Sequence, residues 1–320
     1  MEKLRKFAFV AAFGYICYFF SERFFWSFFR PLPEDTFGDF LVTWFVYSLL
    51  GYVALGLIWK YRVTDWKRLF LVGALYGWIA EGVVVTTMYG TTMGMWATIS
   101  FTGLAWHALL TGLFGWLFLY RGLRGGLSTM KFICWVVAAG ITWGLWALNW
   151  GYEGVDWDVS LDAFIVHTWA YALPLPFAYF LLYKLAHVSM ELSLNEWRTL
   201  WALFGALYVF WNVTAGIFPF SLILPVLLWL TLYALKKSRT ASVTPMHEAL
   251  WGGGGFSYWR GVAILLMPLC ATLVYAFTHE LFGAVHTNWL VFIITAPVGY
   301  VLYIYCIWRC FYQKNNKVIS

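Results

Sequence analysis

The chain has 320 residues, of which 62% are hydrophobic and only 11% charged, with a net charge of +6 and a mean hydropathy of +0.72. Soluble domains carry about 25% charged residues, so one water-surrounded core could not hide this much apolar surface. The composition excludes a soluble globular protein and predicts an all-α, polytopic bundle of membrane-spanning helices.

About 20 apolar residues cross a bilayer, and the chain breaks into about ten such runs. In chain order they are 7–29, 40–59, 69–89, 99–119, 132–150, 164–183, 199–218, 220–235, 262–282 and 289–311. The first has a basic flank but no small-residue cleavage site after Phe20, so it reads as a retained anchor. Pro174 and Pro176 predict a kink in the sixth run. The eighth is short and holds Pro225 just after Pro219, which suits a broken or re-entrant hairpin.

Lys and Arg fall in alternate connections, as orientation by cytoplasmic positive charge requires. Lys3, Arg5 and Lys6 precede the first run; Lys60, Arg62, Lys67 and Arg68 follow the second; Arg121, Arg124 and Lys131 follow the fourth. Lys184 and Arg198, then Lys236, Lys237, Arg239 and Arg260, then Arg309, Lys314 and Lys317 continue the alternation. The opposite connections carry Glu34, Asp35, Asp39, Glu153, Asp156, Asp158, Asp162 and Glu280, with Arg30 among them. Both termini are therefore expected in the cytoplasm, in a bacterial or archaeal plasma membrane. The isoelectric point of about 9.0 follows from this inner-face charge and its attraction to anionic lipid, and no nucleic-acid partner is expected.

The whole chain, 1–320, is expected to form a single membrane domain. Its longest cytoplasmic loop is 236–260, where Gly252 to Gly255 fits a linker and matches no phosphate-binding fingerprint. Cys17, Cys134, Cys270, Cys306 and Cys310 all fall within spans and read as small apolar residues.

Glu81 is the most informative residue, because no basic residue shares its run to neutralise it. An ionisable side chain at membrane depth costs at least about 2.5 to 3.5 kcal/mol, which marks it as a functional candidate. At about 1.5 Å per helical residue, Glu81 lies about 10 Å below the outer surface. His107 enters from the outside and reaches about 10 to 12 Å below it. The two sit on consecutive antiparallel spans and are expected to meet. The same arithmetic puts Glu22, Arg23, Asn149, His167 and Asn212 in the outer half, with His279, Glu280 and His286 at the last outer connection.

A buried Glu beside a His is an acid–base pair that can activate water or a hydroxyl, or pass a proton. Arg23 could hold a phosphate or carboxylate through its planar guanidinium, with Glu22, His167, Asn149 and Asn212 as further substrate-binding candidates. A second option joins Glu81, His107 and His167 as metal ligands, although no fixed ligand spacing supports it. The cofactor is unknown from sequence. The 22 tryptophans exceed what interface belts need and could line a pocket for a long acyl or isoprenoid chain. Trp26, Trp150 and Trp157 are among those near the outer layer. Gly73 and Gly77 fit close helix contact. An echo between G-W-I-A-E-G/L-A-W-H-A-L and W-A-L-N-W-G-Y-E-G/H-T-W-A-Y-A-L suggests duplicated hairpins. The paired glutamates followed one turn later by arginine that mark glutamate intramembrane proteases are missing, since Gly82 follows Glu81.

These residues predict an enzyme acting on a lipid or lipid-linked substrate at the outer leaflet by Glu81/His107 acid–base chemistry. The alternatives are a proton-coupled transporter using the same pair and a noncatalytic subunit of a membrane complex.

Overall fold

The computed structural model describes residues 2–24, 36–90, 94–149, 159–239 and 254–312. Of these, 83% are helical and none is in a strand, so the chain is all-α. Eight helices are long and apolar enough to cross a membrane: Glu2–Arg23, Phe37–Tyr61, Met95–Leu123, Thr129–Ala147, Leu161–Lys184, Phe220–Lys237, Tyr258–Phe282 and Thr287–Tyr312. Trp66–Ile79 and Leu194–Thr214 are helical as well, though not among the eight. Most of the expected loop at 236–260 and the acidic residues Glu153, Asp156 and Asp158 lie outside the described residues, as do Trp26, Trp150 and Trp157.

Helix ends follow local chemistry. Asp65 caps Trp66–Ile79 by accepting the backbone N–H groups of Lys67 and Arg68 at 3.0 and 3.1 Å. Ser193 and Glu196 form a reciprocal capping box at the start of Leu194–Thr214. The sixth run breaks where its prolines stand: one helix runs Leu161–Ala172, and Pro174 caps the next, Leu175–Lys184. Proline has no N–H to donate and its ring crowds the carbonyl four residues back, which forces that break.

Three stretches depart from α-helical winding. Phe19–Arg23, Ala80–Val84 and Ile99–Phe118 bond their N–H groups to the carbonyl five residues back. Phe24 N reaches Phe19 O at 2.9 Å, and Val85 N reaches Ala80 O at 3.0 Å. Such insertions are uncommon and gather at functional sites.

The chain divides into two compact units, each made of three stretches. The first comprises Met1–Leu49, Gly115–Val188 and Trp251–Ile293. Within it, Thr129–Ala147 lies against Leu266–Phe282, and Gly140 and Gly144 allow the approach. A methyl group on Gly144 would stand 2.5 Å from the Ala271 carbonyl oxygen. With lipid as apolar as leucine, helices in a membrane associate through such close packing. Arg260, nearly buried, donates to the carbonyls of Gly122 and Leu127 at 2.6 and 3.0 Å and to the Thr129 hydroxyl at 3.0 Å.

The second unit comprises Leu50–Phe114, Ser189–Leu250 and Ile294–Ser320. Here Trp66–Ile79 packs on Ile223–Lys237, and Leu194–Thr214 packs on Ala80–Val84. The Trp78 indole donates to the Ile99 carbonyl at 3.1 Å and ties together two helical segments that are consecutive in the chain. Buried Arg68 bonds Asp65 at 2.6 Å, the Thr64 hydroxyl at 2.6 Å and the Ser238 carbonyl at 3.2 Å.

Candidate functional site

In the second unit, Trp66–Ile79 continues into Ala80–Val84, which carries Glu81, while Ile99–Phe118 carries His107. The helices approach closely because glycines face one another across the contact. A Cβ on Gly77 would lie 2.6 Å from the Gly103 carbonyl oxygen and 2.7 Å from Cβ of His107, and one on Gly73 would lie 2.7 Å from Cα of Ala108. The small-residue pair legible in the sequence therefore makes the gap that His107 fills.

Across that gap His107 Nε2 lies 2.8 Å from Glu81 Oε1. The other carboxylate oxygen, Oε2, accepts the Thr87 hydroxyl. Thr87 belongs to the tight turn Thr87–Tyr89, which folds back so that Tyr89 donates to the Gly82 carbonyl at 3.1 Å. The Tyr76 ring meets the imidazole edge-on, with centroids 5.4 Å apart. Exposure is graded: the His107 side chain is 2% exposed and that of Glu81 14%. The imidazole is sealed in, while the Glu81 side chain keeps some exposure.

Asn212 also belongs to this unit, but its side chain is engaged in shaping the chain. Its amide donates to the Tyr208 carbonyl at 2.8 Å and its oxygen accepts the Ser221 hydroxyl at 2.5 Å, while the Tyr208 hydroxyl donates to the Ser221 carbonyl at 3.0 Å. This network fastens the turn that precedes Ile223–Lys237.

The first unit holds Glu22, Arg23, Asn149 and His167. Arg23 is fully buried at the end of the Phe19–Arg23 turn, where its Nε donates to the Tyr18 hydroxyl. Its guanidinium lies over the Tyr171 ring at 4.2 Å and near the Tyr18 ring at 5.2 Å. Aromatic faces stabilise a desolvated cation by about 2 kcal/mol. The Glu22 carboxylate accepts the Tyr47 hydroxyl. His167, 1% exposed, meets Tyr171 edge-on at 5.0 Å and sits against Arg23. Asn149 accepts the Asn288 backbone N–H at 3.3 Å, beside a bond from the Trp146 indole to the Asn288 side chain. Val285 N donates to the Leu148 carbonyl at 3.0 Å and Thr287 to that of Trp146 at 3.0 Å, so Asn149 lies in a clamp between two helix ends.

Among the described residues, no three His, Cys, Asp or Glu side chains come together as a metal site, so the option of Glu81, His107 and His167 as joint ligands gains no support. Sequence reasoning missed Thr87, which lies inside the expected run 69–89 but past Val84, where the helix gives way to the turn Thr87–Tyr89, and carries no motif. The chain matches no protein-family model, and no curated protein or solved structure is significantly similar to it.

Proposed function

We propose that this protein is a membrane enzyme of ten spans, with both termini cytoplasmic, that acts on a lipid or lipid-linked substrate in the outer leaflet. The span count and orientation rest on the alternation of basic and acidic connections, read with eight apolar helices. Glu81 is the general base, His107 its proton partner, and Arg23 binds an anionic group within its own unit.

The observation that carries this reading is the graded contact of 2.8 Å between a sealed imidazole and the carboxylate of a partly exposed side chain. A carboxylate offers about four lone-pair positions. His107 and Thr87 engage one on each oxygen, which leaves acceptor capacity on both. There Glu81 takes the proton of water or a substrate hydroxyl as that oxygen attacks the electrophilic centre, and the carboxyl then returns the proton to the leaving group. His107, 2.8 Å from the carboxylate, shares its proton as the charge on Glu81 changes and holds the carboxylate in position.

The test is turnover in liposomes of polar lipid extract, followed by mass spectrometry of the lipids. Glu81→Gln abolishes product formation at an unchanged melting temperature, and continued turnover in that variant would refute the assignment. Proton-coupled transport is the second reading, favoured by the position of Glu81 and His107 in two segments that leave α-helical winding, as interrupted helices in transporters do. Collapse of the proton gradient would then stop substrate accumulation, whereas an enzyme continues to turn over.

A further inference from the structure

In the first unit, two fully buried polar groups depart from a pattern that several of their neighbours follow. Helix threonines normally return the hydroxyl to the carbonyl four residues back, and Thr142, Thr272 and Thr278 do so at 2.6 to 2.9 Å. Thr168, 0% exposed, has no hydrogen-bond partner for its hydroxyl among the described residues. The indoles of Trp44 and Trp146 donate to the Ala11 carbonyl and to Asn288, but that of Trp143, also 0% exposed, donates to nothing described. A buried polar group left unsatisfied costs about 1 to 3 kcal/mol, so two of them in one unit call for an explanation.

They are linked through shared neighbours. Thr168 stands one turn after Phe164 on the buried face of Leu161–Ala172, and the Trp143 ring lies 6.4 Å from that of Phe164. Trp143 also packs on Phe19 at 5.5 Å and Phe24 at 5.0 Å, the residues that bracket the turn carrying Arg23. Leu161–Ala172 packs on that same turn, with His167 and Tyr171 against Arg23. The indole N–H and the guanidinium are donors only, and the hydroxyl can donate. A neutral ligand rich in donors finds little to bond here, whereas an oxyanion matches both the charge and the donors.

We propose that the interior of the first unit holds a site for a phosphate or carboxylate group, with Thr168 and Trp143 as its hydrogen-bond donors and Arg23 as its charge. This deepens the anion-binding role given above to Arg23 and rests on that reading. The shared chemistry is an oxyanion, and its source is either a free anion or the head group of a lipid.

The experiment is thermal melting of the purified full-length protein in detergent with inorganic phosphate, acetate or chloride at equal ionic strength. It is repeated in phosphatidylcholine nanodiscs with and without phosphatidic acid. The melting temperature is expected to rise with phosphate or acetate if the anion is free, or with phosphatidic acid alone if it is a lipid head group. Thr168→Val keeps the side-chain shape and Trp143→Phe keeps the ring; each is expected to weaken the anion response by about tenfold while the protein stays folded. Absence of any anion-dependent shift in the wild type overturns the proposal, as does an undiminished shift in both variants. Glu81→Gln retains the full anion response, so failure of the acid–base assignment is distinguishable from failure of this site.

Discussion

Thr87 donates to the oxygen of Glu81 opposite the one that His107 engages, so the carboxylate is gripped from its own chain and from the neighbouring helix at once. The grip fixes the plane of the carboxyl and hence the direction in which its remaining lone pairs point. Thr87→Val removes one hand of it and leaves the fold otherwise intact, at a cost of about 1 to 2 kcal/mol in stability. The infrared carboxyl band assigned to Glu81 by its loss in Glu81→Gln should shift in Thr87→Val and return in Thr87→Ser. An unmoved band in the valine variant would dismiss the contact.

Gly77→Ala is expected to damage the same site from a distance. The added methyl meets the Gly103 carbonyl oxygen at 2.6 Å and His107 Cβ at 2.7 Å, so the helices must part. Overpacking of this kind costs about 1 to 3 kcal/mol. Gly205→Ala is the control, since a Cβ there meets nothing within 4 Å and alanine favours a helix by about 0.5 to 1 kcal/mol. Melting temperatures should therefore move in opposite directions for the two variants.

Asn212 and Ser221 should behave as one unit. Asn212→Ala and Ser221→Ala each lower stability by about 1 kcal/mol, and the double variant loses less than the sum because the hydrogen bond between them is counted twice. Unfolding measurements on the four proteins of the cycle test this, and simple additivity would contradict it. Neither variant should change the affinity for a lipid ligand.

Asn149 makes the matching case in the other unit. Asn149→Ala is expected to loosen the junction with Asn288, speeding hydrogen exchange at the amide of residue 288 while leaving phosphate-dependent melting unaltered. Unchanged exchange there would remove the clamp from the account.

The helices were legible because apolar runs are a local property: the run expected at 40–59 is the helix Phe37–Tyr61, and 164–183 appears as Leu161–Lys184 with its break at the prolines. The meeting of Glu81 and His107 was legible because it needs only the rise per residue on two consecutive antiparallel helices. Asn149 and Asn212 looked the same as Glu81 at that level, as polar residues at a given depth. What separates them is the partner each side chain finds, and those partners come from turns and helix ends whose path no periodicity encodes. Thr87 was hidden for the same reason. Thr168 and Trp143 were invisible because the sequence names a donor without saying whether anything accepts from it.

Arg68 and Arg260 point to a division of labour in time. Both belong to the basic stretches that would orient the chain during insertion, yet in the finished protein both are withdrawn into it and bonded to backbone carbonyls and hydroxyls. On the proposed orientation, an address label read while the segments enter the membrane would thus become, once they have assembled, a rivet between them. Lysine at either position would preserve the label and lose the rivet, giving a chain that enters the bilayer the right way round and then fails to close.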